Sequence, residues 1–365
     1  MANRNTGRLA ERGVSLYLDD LGRDRLESGR LAELIADYHV TGVTTNPSIF
    51  NAALTSGDDY QDRLRLLAGV GATTADAVRM LTAIDVREAA DLLEPVHRRT
   101  GGRDGWVSLE VDPRYARDTA RTVAEARLLH WLVGRPNVML KVPATAEGLP
   151  AITELVARGI SVNATVIISL DRYEQVVDAY LGGLERAVAA GIDASQVASV
   201  ASFYISRLDG LVDDFLDGAD ERKAERLRGQ AAIANARLGH QIHRRSLDAP
   251  RWRALADRGA RPQRLLWAST ATKDDRYPDT RYVTDLAIPG TINTMPAATL
   301  EAVADHCGPL SGPVDEEYAA AHDLFRELAE LGFSYDKAVR DLQDQGIEGF
   351  VDDWQELHRT VGETL

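Results

Sequence analysis

The chain has 365 residues and a formal net charge of −14, with 44% hydrophobic and 27% charged residues. That is enough for one large core or two smaller ones in a globular protein of ordinary composition, and the acidic balance excludes nucleic acid and anionic membrane as main partners. Cys307 is the only cysteine, which excludes an internal disulfide and fits a reducing cytosol; with no apolar signal core and no run of about 20 apolar residues, a cytoplasmic location is expected.

Short β-rich runs recur at residues 14–20, 42–47, 106–112, 138–143, 161–169, 197–205, 264–270 and 291–296. Amphipathic helical stretches at 31–38, 75–94, 116–133, 149–158, 172–190 and 213–245 fill most of the gaps. Repeated strand-then-helix order means parallel pairing through crossover helices, and eight repeats close a barrel. No low-complexity tract divides the chain and no internal repeat is visible. The expectation is an α/β protein with one domain over residues 1–365. Its (β/α)8 TIM-type barrel spans about 14–300, and a helical C-terminal tail spans about 297–365.

Alternation within the runs argues for a barrel over an open sheet, since residues two apart share a face. Val14, Leu16 and Leu18 oppose Ser15, Tyr17 and Asp19; Val107, Leu109 and Val111 oppose Ser108, Glu110 and Asp112. Val138, Leu140 and Val142 oppose Met139 and Lys141, and Val162, Ala164 and Val166 oppose Ser161, Asn163 and Thr165. A doubly wound sheet would be apolar on both faces. The polar face therefore points into the barrel, carrying Asp19, Asn46, Glu110, Lys141, Asn163, Thr165 and Ser202.

Among these, Lys141 carries the chemistry. The chain has four lysines against 38 arginines, yet one lysine lies inside the apolar run Asn-Val-Met-Leu-Lys-Val-Pro at 137–143. Burying an ammonium is unfavourable, and arginine cannot replace an amine that must lose its proton and attack a carbonyl. A lone lysine at a strand end usually snorkels to solvent. One set on the same inner face as two carboxylates has another use. Barrel walls desolvate the amine, which is expected to lower its pKa. A neutral amine then forms an imine with a ketone, and Asp19 and Glu110 are the available proton shuttles. Thr165 positions a water in this reading, while Asn46, Asn163 and Ser202 offer hydrogen bonds to sugar hydroxyls. His240 and His243 share a helical face without a carboxylate or cysteine pattern, so no metal site is expected. The pairs Asp58–Asp59, Asp213–Asp214 and Asp352–Asp353 are read as solvated turns and helix starts. Residues 213–245 are read as one long outer helix that could serve a homo-oligomer contact.

The ordered segments Gly-Val-Thr-Thr-Asn-Pro-Ser-Ile-Phe (42–50), Val-Ser-Leu-Glu-Val-Asp-Pro (107–113), Val-Met-Leu-Lys-Val-Pro-Ala-Thr (138–145), Gly-Ile-Ser-Val-Asn-Ala-Thr (159–165) and Ala-Ser-Phe-Tyr-Ile-Ser-Arg-Leu-Asp (201–209) resemble the transaldolase family. The stretches at 265–274 and 291–296 resemble its longer bacterial branch. The resemblance implies Lys141 as the Schiff-base lysine, Asp19 as acid/base, and Glu110 with Thr165 as holders of the hydrolytic water. It also implies Asn46, Asn163 and Ser202 as contacts of a dihydroxyacetone unit and Arg207 as a phosphate ligand. The implied reaction, in the non-oxidative pentose phosphate pathway, moves that unit from sedoheptulose 7-phosphate to glyceraldehyde 3-phosphate. The products are erythrose 4-phosphate and fructose 6-phosphate, and neither metal nor organic cofactor is required. Two positions depart from the family pattern. A second phosphate arginine is absent after the seventh run, where Lys273, assisted by Ser269, is the candidate. Tyr204 stands where phenylalanine is usual, as in fructose 6-phosphate aldolases, so a lyase of that kind is the alternative; Glu110 and Ser202 favour the transferase. A barrel that binds a sugar phosphate without turning it over would not need Lys141, Asp19 and Glu110 together.

Overall fold

In the computed structural model, which describes residues 2–55, 58–218 and 221–365, eight parallel strands close into a barrel in sequence order. They are β1 (Ser15–Asp19), β2 (Val40–Thr44), β3 (Trp106–Glu110), β4 (Val138–Pro143), β5 (Val162–Ile167), β6 (Ser199–Tyr204), β7 (Arg264–Ala268) and β8 (Ile292–Met295). Leu16, Leu18, Leu109, Leu140, Val142 and Val162 form the outer layer of the sheet and are buried in the main core under the helices. Their inner neighbours fill the barrel in layers. Tyr17, Trp106, Met139, Val200, Leu266 and Ile292 cluster at its amino-terminal end. Gly42 is opposite Tyr17 in the β1–β2 pairing, and a Cβ there would come within 2.4 Å of the Tyr17 ring. Only glycine leaves room for that tyrosine.

Polar residues form the layer above. Glu110 is in register with Lys141, and Lys141 with Asn163, so one row of side chains crosses three strands. Further along β5 the pairing with β6 shifts, and Val166 takes a positive φ of 59°. A β-branched residue resists that conformation, so the bulge is held by its surroundings directly after Thr165.

The helices 74–99, 119–133, 148–156 and 170–189 fill the expected gaps. Residues 213–245 differ from expectation. The chain there forms Ser206–Leu216, Glu221–Leu227 and Ala231–Asp248 instead of one helix. Gly229 breaks the run with φ of 66°, and its N–H donates to Asp213 Oδ1 at 2.8 Å. Asp213 also accepts from the Tyr277 hydroxyl at 2.5 Å and is buried, not a solvated turn residue. The C-terminal helices are Ala297–His306, Tyr318–Glu330 and Tyr335–Thr364. The last of these crosses the carboxyl ends of the strands. Gln343 Nε2 donates to Ala144 O at 2.9 Å, and Thr360 Oγ1 to Asn51 Oδ1 at 3.1 Å. Among the described residues no helix is long and apolar enough to cross a membrane.

Candidate active site

A cavity of about 240 Å³ opens at the carboxyl end of the barrel. Asp19, Asn46, Lys141, Ser202, Tyr204, Arg207 and Lys273 all line it. Of the ten residues singled out from sequence, Glu110, Asn163 and Thr165 stand behind this lining. All three are buried in the polar layer that supports it.

Lys141 is 4% exposed, and its ammonium donates to Glu110 Oε2 at 3.1 Å and to Thr45 O at 2.9 Å. Burial alone would lower its pKa, as the sequence suggested, but the net shift is upward. The negative charge of Glu110, with that of Asp19, outweighs desolvation, so the resting amine is protonated. Burial acts on the carboxyls too. It pushes Glu110 up to about 7 against the opposing pull of Lys141, and it raises Asp19 against Lys141 and the Thr44 hydrogen bond. Two carboxyls and one amine thus form one coupled group of protonation sites at the base of the cavity. Glu110 Oε1 is buried and accepts no hydrogen bond from the described residues, which leaves an acceptor beside the amine.

Asn46 caps the helix Pro47–Thr55. Its Oδ1 accepts from Ile49 N at 3.0 Å and Ser48 Oγ at 2.7 Å, which turns the amide NH₂ to donor duty. Asn163 Nδ2 donates to Ser108 Oγ at 3.0 Å, while its Oδ1 accepts from Ser202 Oγ at 2.7 Å. The Thr165 hydroxyl lies 3.4 Å from the Tyr204 hydroxyl. Arg207, in the first turn of Ser206–Leu216, is stacked 5.6 Å from the Tyr204 ring centroid and has no ion pair among the described residues. Across the mouth Ser269 holds a positive φ of 56°, with Oγ 3.0 Å from Ser206 Oγ, and Lys273 is exposed. Two cations and a helix N-terminus at one rim suit a phosphate.

Four further residues belong to this site. Thr44 donates to Asp19 Oδ1 at 2.5 Å and lies 2.6 Å from the Thr294 hydroxyl, fixing the carboxylate. Both threonines have inner-face parity in their runs, a signal the sequence did contain. Phe350 and Asp353 come from the helix Tyr335–Thr364, whose landing place no local pattern announces. The Lys141 ammonium lies 5.3 Å from the Phe350 ring centroid. Asp353 lines the cavity instead of being a solvated turn residue, and burial raises its pKa. His240, on the far side of the barrel, places Nδ1 2.8 Å from the Tyr318 hydroxyl.

The chain is similar to known proteins along its whole length. A sequence model of the family described as transaldolase/fructose-6-phosphate aldolase matches residues 16–361. "Transaldolase 1" of Streptomyces avermitilis is 54% identical over 361 residues, covering 99% of this chain and 96% of the relative. "Transaldolase" of Thermobifida fusca is 54% identical over 358 residues, 98% and 97% of the two chains. "Transaldolase" of Saccharopolyspora erythraea is 50% identical over 363 residues, 100% and 98%.

Proposed function

Because this chain belongs to the transaldolase family and is a transferase, we propose that it moves a dihydroxyacetone unit between sugar phosphates through an imine on Lys141. The observation that carries this reading is the Lys141–Glu110 contact of 3.1 Å at the base of the lined cavity. Sedoheptulose 7-phosphate is the donor and glyceraldehyde 3-phosphate the acceptor, giving erythrose 4-phosphate and fructose 6-phosphate. The whole chain works as one unit, in the cytoplasm, a setting its single thiol suits.

The reaction starts with a proton shift. The Lys141 ammonium passes a proton to Glu110, whose raised pKa makes it an able acceptor, and the neutral amine adds to the ketone carbon. Loss of the former carbonyl oxygen as water leaves the imine. Asp19 takes the proton of the hydroxyl one carbon beyond the three-carbon unit. The bond between the third and fourth carbons breaks, its electrons enter the imine as an enamine, and the aldehyde leaves. Addition of the enamine to the acceptor aldehyde reverses these steps, with Asp19 returning the proton. Glu110 Oε1 and the Thr165 hydroxyl hold the water that finally hydrolyses the imine. Asn46, Asn163 and Ser202 fix the hydroxyls of the unit, and Arg207 and Lys273 bind phosphate.

Borohydride trapping with fructose 6-phosphate tests the imine. A reduced three-carbon adduct on Lys141, absent from Lys141→Ala, is the expected result; no adduct on any lysine would remove the mechanism. Adding erythrose 4-phosphate then separates transfer from cleavage. A tyrosine hydroxyl at position 204, 3.4 Å from that of Thr165, also supports some aldol cleavage. That side activity should fall in Tyr204→Phe while transfer persists.

A further inference from the structure

A cavity of about 730 Å³ lies at the other end of the barrel. That falls within the roughly 300–1,000 Å³ of small-molecule pockets. Leu247, Pro289 and Val314 give it apolar surface, while Trp106, Met139 and Val200, each 3% exposed or less, are packed behind that surface. Those three also belong to the floor cluster with Tyr17 and Leu266, so a packed layer separates this cavity from Lys141.

Guanidinium groups gather around the apolar wall. Arg264 is consumed by Asp104 at 2.8 Å and Ser15 Oγ at 2.7 Å. Arg12, Arg103 and Arg261 also line the cavity, and none has an ion pair among the described residues. Arg12 Nη2 donates to Ser311 O at 2.8 Å, but its Nε is buried without a partner. Arg261 uses Nε on Ser195 O and gives its two terminal nitrogens to no described residue. Three cations without ion pairs at one opening, in a chain of net charge −14, make a locally positive site that suits an anion. Burial chiefly, with help from His240, Arg244 and Arg264, depresses His243 to about 4 and keeps it neutral.

We propose that this cavity is a second binding site, taking an organic anion with an apolar body and one acidic head. The body rests on Leu247, Pro289 and Val314, and the head pairs with Arg12, Arg103 and Arg261. Sugar phosphates lack the apolar body and remain ligands of the catalytic end.

Fluorescence titration of the full chain with 8-anilinonaphthalene-1-sulfonate, an aromatic body with one sulfonate, tests this. One saturable site is expected, undisturbed by saturating fructose 6-phosphate. The double variant Arg12→Gln/Arg261→Gln should bind about tenfold more weakly, the scale of losing charge-assisted contacts, with its transferase rate intact. Arg103→Glu, an exposed position that folding tolerates, should weaken the dye by a similar factor even if the double variant fails to fold. The neutral dye N-phenyl-1-naphthylamine should bind far less tightly. Absence of saturation, equal affinity of the variants, equal binding of the neutral dye, or displacement by fructose 6-phosphate would each overturn the proposal.

Discussion

Lys141 and Glu110 hold one proton problem between them. Under the proposed mechanism the amine must be neutral to attack, yet the neighbouring charges keep it protonated at rest. Glu110 can relieve it only when ionised, and burial has moved that ionisation up to about 7. The free enzyme should therefore gain kcat/KM as pH rises toward about 7, by up to about tenfold per unit, and level off above it. Glu110→Gln should abolish this acidic limb and lower kcat by about 10²–10⁴. A limb of unchanged midpoint in that variant would assign the titration to Asp19 instead. The two cations proposed to hold phosphate differ in kind. Arg207 is half-buried and braced on the Tyr204 ring, whereas Lys273 is exposed on its loop. Arg207→Ala should raise KM for fructose 6-phosphate by about tenfold to a hundredfold, as loss of a charge-assisted phosphate contact implies. Lys273→Ala should change it much less, and equal effects would show that the rim does not discriminate between them.

The helix Tyr335–Thr364 does two jobs along its length. Near its carboxyl end Trp354, Leu357 and Val361 are buried in the main core, so this half holds the fold together. One or two turns earlier Gly346, Gly349, Phe350 and Asp353 face the barrel mouth. A Cβ on Gly346 would lie 3.0 Å from Val166 Cγ1, so the helix comes this close only because the residue is glycine. Phe350 lies over the Lys141 ammonium, where under the proposed mechanism it would keep water from the imine. The two halves should separate by mutation. Trp354→Ala should cost about 3–5 kcal/mol of stability, read from denaturant unfolding. Phe350→Ala should leave most of the stability but release free dihydroxyacetone several-fold faster when no acceptor is present. Unchanged leakage would show that the ring shields nothing.

At the scale of the whole barrel, what can be read in the sequence follows from periodicity. Side-chain alternation already separates Leu109, Leu140 and Val162 from Glu110, Lys141 and Asn163, and the parallel registers place the second set side by side. Contacts made at long range leave no such trace. Nothing local to 335–364 tells where that helix lands. The break at Gly229 depends on a carboxylate 16 residues earlier. The charge on Lys141 is set by a 3.1 Å contact, not by burial alone. The barrel floor is intermediate: Gly42 and Tyr17 are both visible in the sequence, but their opposition appears only once β1 and β2 pair. That floor ties β1 to β2 and separates the two cavities, with Tyr17 filling the space a Cβ on Gly42 would claim. Gly42→Ala should therefore cost about 1–3 kcal/mol through overpacking. Tyr17 is two residues before Asp19 on the same face of β1, so a small tilt of the ring can be absorbed below the reacting groups. The loss should show as a lower denaturant midpoint while kcat with fructose 6-phosphate stays within about twofold of the parent, a barrier change below half a kcal/mol. A collapse of kcat at unchanged midpoint would mean that the floor positions Asp19 directly, and that the two ends of the barrel are coupled.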